Sequence, residues 1–108
     1  MSSHQDIVDF ILEQMAGAGE VSARKMFGEY GVYCNGKMVA SICDDQLYIK
    51  PTEAARSWIG DAVLAPPYPG AKECFLISGE RWDDKVWLSE LVRITASELP
   101  IPKKKKNR

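Results

Sequence analysis

Residues 31–37 have the glycine and lysine spacing of a phosphate-binding P-loop. A P-loop needs a Ser or Thr after its lysine to bind magnesium, but Met38 stands at that position. A P-loop also joins a strand to a helix. In this segment Val32 and Tyr33 are typical of a strand, and Asn35 with Gly36 is typical of a hairpin turn between two strands. We therefore expect no nucleotide site in this stretch.

The residues that bind metals or act as nucleophiles are scattered along the chain. Cys34, Cys43 and Cys74 lack the close spacing of zinc motifs, so we expect no metal, no cofactor and no disulfide framework. The single histidine, His4, lies near the N-terminus, where we expect a frayed segment that cannot orient a nucleophile. These patterns predict a protein that is not an enzyme.

One group of residues combines the charged and aromatic side chains that are enriched at protein interfaces. Its members surround two glycines and are Arg24, Lys25, Phe27, Glu29 and Tyr30. We predict that this group contacts a partner protein. The alternative is that Phe27 and Tyr30 fill the hydrophobic core.

A second candidate surface lies in a long proline-rich segment, and a loop of such length invites a functional interpretation. Tyr68 and Lys72 belong to this loop, and Trp58 and Trp82 lie near it in the sequence. Together these side chains can line a cleft for a ligand or a peptide. The alternative is that residues 66–70 only cover the edge of a sheet.

The charges are distributed unevenly. Five of the 14 basic residues form a C-terminal tail: Lys103, Lys104, Lys105, Lys106 and Arg108. Residues 1–102 hold nine basic and 15 acidic residues, so they carry about −6 and repel a phosphate backbone. The tail can attach to a polyanion, but only weakly, with strong salt dependence and without sequence specificity. We favour a solubilising tail and keep nucleic-acid binding as the alternative.

Apolar periodicity and turn residues predict the elements that must position these groups. Apolar residues at helical spacing predict a first helix, with Ser3 as its N-cap, that ends at Gly17. Short β-rich pieces then predict a four-stranded meander. Its two best-marked reversals are a type I′ turn at Asn35 and Gly36 and a second turn at Asp44 and Asp45. The predicted strands cover residues 21–26, 30–34, 37–42 and 46–50.

The rest of the chain adds one strand and two helices to this prediction. Thr52 is expected to cap a short helix, and a loop follows over residues 61–73, with prolines that exclude regular structure from its centre. A strand over residues 74–78 leads through a turn at Gly79 into a final helix capped by Asp83. The predicted fold is an α+β, two-layer sandwich in which about three helices pack on a mainly antiparallel, five-stranded sheet.

Length and composition limit the class of protein. The 108 residues are 45% hydrophobic and 27% charged, which is typical of a globular protein. We expect one domain over residues 1–102 and a disordered basic tail over residues 103–108. No apolar run approaches the roughly 20 residues that cross a bilayer, so we expect a cytoplasmic protein without membrane contact.

Several segments together resemble the TfoX N-terminal domain family, and the resemblance covers roughly residues 5–99. The segments that carry it are residues 24–33, Gly36 with Lys37, residues 46–50 and residues 65–70. The resemblance implies an α+β sandwich, a link to bacterial regulators of natural competence, and no catalytic residues. In the longer regulators the domain is followed by a helical domain that resembles nucleic-acid-binding modules, whereas a lysine-rich tail follows it here.

The function expected from this resemblance is that of a regulatory adaptor that binds a partner protein. Self-pairing through a sheet edge or a helix face is a further expectation. Two alternatives stay open: a nucleic-acid-associated regulator that uses the basic tail, and a metabolite sensor or enzyme with a cleft near Tyr68 and Lys72.

Overall fold

A computed structural model describes residues 4–26 and 29–100 of the chain. This part of the chain holds six strands: β1 Val21–Met26, β2 Glu29–Cys34, β3 Lys37–Cys43, β4 Gln46–Ile49, β5 Val63–Ala65 and β6 Cys74–Ile77. They form one sheet in the order β1-β2-β3-β4-β6-β5, and every neighbouring pair is antiparallel. The predicted α+β class and antiparallel sheet are confirmed.

The described residues also form four α-helices: α1 Gln5–Met15, α2 Glu53–Ile59, α3 Gly79–Trp82 and α4 Lys85–Glu98. A 3-10 turn over Ala16–Ala18 follows α1. None of these helices is long and apolar enough to cross a membrane.

The hydrophobic core lies between one face of the sheet and the helices. Alternate residues of the strands, such as Leu47 with Ile49 and Phe75 with Ile77, are buried in one cluster with α1, α2 and α4. Ile11 and Leu88 are fully buried examples from the helices. Apart from an irregularity in β3, where the adjacent Val39 and Ala40 are both buried in this cluster, the other strand residues point to the face that turns away from the helices.

The turns of the meander follow the predicted chemistry. Asn35 and Gly36 have φ angles of 52° and 85°, and Asp44 and Asp45 have φ angles of 51° and 61°. Positive φ at both central residues is what a type I′ turn requires. The predicted helix cap is also confirmed, because Thr52 Oγ1 accepts a hydrogen bond from the backbone N–H of Ala55 at 3.1 Å.

The sheet has six strands rather than the five that were predicted. The additional strand, β5, lies inside the segment that was expected to be a loop. Its three residues sit between Gly60 and Pro66 and are too few for a periodic pattern. The register of β5 is set by its pairing with β6, in which Leu64 pairs with Phe75. Because β6 comes later in the sequence, residues local to β5 do not indicate this pairing.

The helix count also differs from the prediction of about three. Gly79 was expected to lie in a turn, but it begins α3, which continues to Trp82. Because Asp83 is the C-cap of α3, the N-cap of α4 falls one residue later than predicted. The side chain of Asp84 accepts the backbone N–H of Trp87 at 3.0 Å. The expected cap of α1, Ser3, lies outside the described residues, and His4 is the residue before that helix.

Candidate functional site

A cleft of about 530 Å³ opens on the face of the sheet that turns away from the helices. Its floor lies where β2 and β3 pair, with Gly31 opposite Ser41. Tyr68 reaches it from the connection between β5 and β6. We call it the methionine cleft, and its lining residues are Met26, Glu29, Tyr30, Gly31, Met38, Ser41, Cys43 and Tyr68.

Two methionine side chains meet above Gly31 and shape the cleft. A Cβ atom placed on Gly31 would lie 2.7 Å from Cε of Met26 and 3.1 Å from Cε of Met38. Real side chains do not approach so closely, so any larger residue at this position would push both methyl groups aside. The missing side chain of Gly31 is therefore what lets the two thioethers close over the floor.

The carboxylate of Glu29 lies at the rim of the methionine cleft. Its Oε2 accepts the backbone N–H of Asp44 at 3.0 Å, which ties β2 to the turn between β3 and β4. Asp44 itself is exposed. Two acidic residues thus lie next to each other at this end of the cleft.

The thiol of Cys43 belongs to the same cleft but is poorly suited to nucleophilic chemistry. Burial, with smaller contributions from the charges of Glu29, Cys74 and Asp44, raises the pKa of Cys43 to about 11. A thiolate is the reactive form, so Cys43 stays a neutral thiol at physiological pH. It offers an apolar surface and a weak hydrogen-bond donor.

Tyr48 flanks the floor of the cleft on the same face, because it pairs with Ser41. Only 7% of it is exposed. Within residues 4–26 and 29–100 its hydroxyl has no hydrogen-bond partner, although burial raises its pKa and keeps it protonated. Buried hydroxyls normally have a partner. Tyr48 therefore lies beside Ser41 with a hydroxyl that has no hydrogen bond to the described protein groups.

The structure divides the first predicted group between the two faces of the sheet. Arg24 lies on the same face as the cleft, with its guanidinium carbon 5.5 Å from the ring centroid of Tyr33. Lys25 is exposed and points to the other face, as does Tyr30. Phe27 lies outside the described residues.

Tyr30 lines the cleft but also belongs to the packed side of the sheet. Its ring packs against the hydrophobic core, and its hydroxyl donates to Oε1 of Gln5 at 3.0 Å. The alternative that Tyr30 serves packing is thus supported by its contacts. Glu29 and Tyr30 are the members of the first group that reach the methionine cleft.

The second predicted group is divided as well. Tyr68 lines the cleft and is 60% exposed. Lys72 is exposed but does not line the cleft, and the backbone carbonyl of Lys72 accepts a hydrogen bond from the thiol of Cys74. Trp58 and Trp82 lie in α2 and α3 rather than at the cleft, and the indole N–H of Trp82 donates to the carbonyl of Ile77. The structure therefore joins Tyr68 to Glu29 and Tyr30 in one site.

Sequence reasoning missed the residues that give this cleft its character. Met26, Gly31, Met38, Ser41 and Cys43 occupy the second face of the meander strands. The sequence pattern that could have predicted the cleft is a set of small or flexible residues at alternate strand positions. It becomes visible only when Gly31 is paired with Ser41. The register of β2 on β3 shifts between Val32 and Tyr33, so simple alternation along β3 does not find Met38.

The structure shows no metal centre in the part of the chain that it describes. No three His, Cys, Asp or Glu side chains of that part lie close enough together to hold an ion. The five basic residues of the tail lie outside the described residues, so polyanion contact stays a prediction.

Comparison with protein-family models establishes the family to which this chain belongs. The family model of the TfoX N-terminal domain matches residues 13–99, and every lining residue of the methionine cleft lies inside that match. The chain belongs to the TfoX N-terminal domain family. The resemblance predicted from the sequence is therefore confirmed, and TfoX N-terminal domains are generally non-enzymatic.

The chain is also similar to a bacterial protein of nearly the same length. That relative is described as an uncharacterized 12.7 kDa protein in the trpE 5′ region of Spirochaeta aurantia. The two are 32% identical over 106 residues, which is 98% of this chain and 91% of the relative. The similarity thus extends over most of both chains.

Proposed function

We propose that this TfoX N-terminal domain is a non-catalytic recognition module that binds a partner protein at the methionine cleft. The observation that carries the proposal is the closure of Met26 and Met38 over Gly31, with the exposed ring of Tyr68 at the same cleft. By its family the module is competence-regulator-like, and we place its regulatory action in the cytoplasm.

The lining of the cleft favours recognition over catalysis. Methionine side chains are flexible and polarizable, so they adapt to apolar groups of different shape. The neutral thiol of Cys43 adds apolar surface without a nucleophile. An exposed aromatic residue beside an apolar hollow is the arrangement that often contributes most of the energy at protein interfaces.

The charges around the cleft define the partner more closely. Glu29 lines the cleft and the exposed Asp44 adjoins it, while residues 1–102 carry about −6. Complementary charge steers association and fixes orientation. The occupant is therefore an extended partner segment that inserts one apolar side chain between the methionines and places a Lys or Arg beside Glu29.

A peptide-display selection against the purified protein tests this proposal directly. The enriched peptides should share an apolar anchor next to a basic residue, and their affinity can be measured by titration calorimetry. Gly31→Ala should weaken binding about tenfold or more, because its Cβ displaces Met26 and Met38 into the cleft. Gly79→Ala is the matched control, since a Cβ at Gly79 meets nothing within 4 Å.

Tyr68→Ala provides a second variant that leaves the core intact, because Tyr68 is largely exposed. It should also weaken binding, while circular dichroism stays that of the wild type. Selected peptides that bind wild type, Gly31→Ala and Tyr68→Ala equally well would place recognition elsewhere. A selection that enriches nothing, combined with a melting-temperature rise for a small metabolite, would overturn the proposal in favour of a sensor.

A further inference from the structure

The two edges of the sheet differ in their protection. In the described part of the chain, β1 and β5 each have a strand on one side alone. An unpaired edge offers its N–H and C=O groups to another chain, and proteins commonly block it with charged residues. β1 carries the exposed Arg24 and Lys25, whereas β5 consists of Val63, Leu64 and Ala65 and has no charge.

Exposed apolar side chains lie on β5 itself and on two of the helices, α2 and α4. Val63 and Leu64 are 57% and 43% exposed, Trp58 at the end of α2 is 40% exposed, and Val86 at the start of α4 is 80% exposed. We call these four residues the β5 patch. The indole N–H of Trp58 donates to the carbonyl of Trp87, which holds Trp58 against the residue that follows Val86.

The sheet register places Leu64 on the same side as these helices. Leu64 pairs with Phe75, whose ring is buried in the core beneath them, so it faces the side of Trp58, while Val63 pairs with Leu76 on the other face. Val63 and Leu64 thus expose apolar surface on both faces of the open edge. Soluble monomers rarely expose a large contiguous apolar patch.

Charges of both signs lie near the β5 patch, including Glu80, Arg81 and Asp84 beside Trp58, so an identical surface meets no uniform repulsion. Arg56 lies with its guanidinium carbon 5.6 Å from the ring centroid of Phe75, and Asp61 of opposite sign is exposed just before β5. At the β1 edge, by contrast, self-pairing would bring Arg24 and Lys25 of two copies together. Charge therefore favours β5 over β1 for self-association.

We propose that the β5 edge binds a second copy of this chain, with the two β5 strands antiparallel around a two-fold axis. The sheet then continues from one copy into the other, and Trp58, Leu64 and Val86 bury apolar area beside the paired strands. This contribution is needed because a stable interface buries about 800 Å² on each partner, more than a three-residue strand provides. Pairing β5 with β1 would instead leave open edges and produce filaments.

This dimer goes beyond the recognition function and leaves its site accessible. Most of the methionine cleft is built on β1, β2 and β3, at the other end of the strand order from β5, and Tyr68 alone reaches it from the connection that follows β5. A β5 dimer would present two such clefts, so it would bind a partner with repeated motifs more tightly than a single domain does. Loss of the dimer and loss of cleft binding are therefore separate outcomes.

Sedimentation velocity over a range of micromolar concentrations tests the dimer. The wild type should shift from monomer to dimer, and Val63→Lys should weaken the dimer at least about tenfold by placing a charge at the shared edge. Ser22→Lys is the matched control, because Ser22 is an exposed residue of the other edge strand and should not change the dimer.

Disulfide trapping supplies a second readout that does not depend on destabilising the edge. Leu64 is the middle residue of β5, so in the antiparallel pair it faces its own copy across the two-fold axis. Leu64→Cys should form a covalent dimer under mild oxidation, and Ser22→Cys should not. A wild type that stays monomeric throughout, a dimer that survives Val63→Lys, or selective trapping through Ser22→Cys would each overturn the proposal.

Discussion

His4 and Asp45 are joined by two hydrogen bonds that tie the start of α1 to the turn between β3 and β4. The backbone N–H of His4 donates to Oδ1 of Asp45 at 2.7 Å, and Nδ1 of the ring lies 2.8 Å from Oδ2. The sequence predicted a frayed terminus that cannot orient His4 toward a cysteine or serine. The structure holds His4 through a turn distant in sequence, and its ring faces the carboxylate of Asp45 rather than a thiol or a hydroxyl.

The His4–Asp45 pair predicts a pH-dependent contribution to stability. The hydrogen bond to Asp45 raises the pKa of His4 above 6.5, and hydrogen bonds from the His4 backbone and ring lower the pKa of Asp45 below 3.8. The histidine contribution is complete below pH 6.5 and is lost as the pH rises through the raised pKa. The aspartate contribution is complete above pH 3.8 and is lost as the pH falls through the lowered pKa.

An NMR titration measures this effect at a single residue, because His4 is the only histidine in the chain. The ring protons of the wild type should titrate above pH 6.5, and Asp45→Asn should return the midpoint toward that value. Asp44→Asn is the neighbouring control and should leave the midpoint near that of the wild type. The same midpoint in wild type and Asp45→Asn would contradict the paired geometry.

The adjacent residues Asp83 and Asp84 predict different effects of the same substitution. Asp84 caps α4 by accepting the backbone N–H of Trp87, so Asp84→Ala should lower the free energy of unfolding by about 1 kcal/mol. Asp83 is exposed and caps no helix N-terminus among the described residues, so Asp83→Ala should change it by less than about 0.5 kcal/mol. Urea unfolding of both variants checks this, and equal losses would contradict it.

The three cysteines should differ in their reactivity toward a thiol reagent. Burial raises the pKa of all three, to about 11 for Cys43, but Cys74 is only half-buried while Cys34 and Cys43 are buried. At mildly alkaline pH, Cys74 should therefore be labelled first, and the other two should react only after unfolding. Mass spectrometry of the labelled peptides identifies the order, and rapid labelling of Cys43 in the native protein would contradict its burial.

Local signals predicted the elements whose shape is set by neighbouring residues. The positive φ angles at Asn35 and Gly36 and the side-chain cap at Thr52 follow from chemistry within a few positions. By contrast, β5 and the methionine cleft depend on pairing between distant segments. Nothing local to Tyr68 indicates that its loop reaches Gly31 and Met26, so the cleft could be predicted only in part.

Two tyrosines in the sheet predict opposite effects when their hydroxyl group is removed. Tyr48 is buried, and its hydroxyl has no hydrogen-bond partner in residues 4–26 and 29–100. An unsatisfied buried hydroxyl costs about 1–3 kcal/mol, so Tyr48→Phe should keep or raise the free energy of unfolding, by up to about 1 kcal/mol. Tyr30 donates to Gln5, so Tyr30→Phe should lower it by about 0.5 to 1 kcal/mol.

Thermal and urea unfolding of these two variants provide a matched comparison, because each loses one oxygen from a tyrosine on the same sheet. A loss of more than about 1 kcal/mol in Tyr48→Phe would contradict the unsatisfied geometry, since it would require a bonded partner for the hydroxyl. Tyr48 does not line the methionine cleft, so Tyr48→Phe should leave peptide binding unchanged, and a change in affinity would show that the bound segment reaches this hydroxyl.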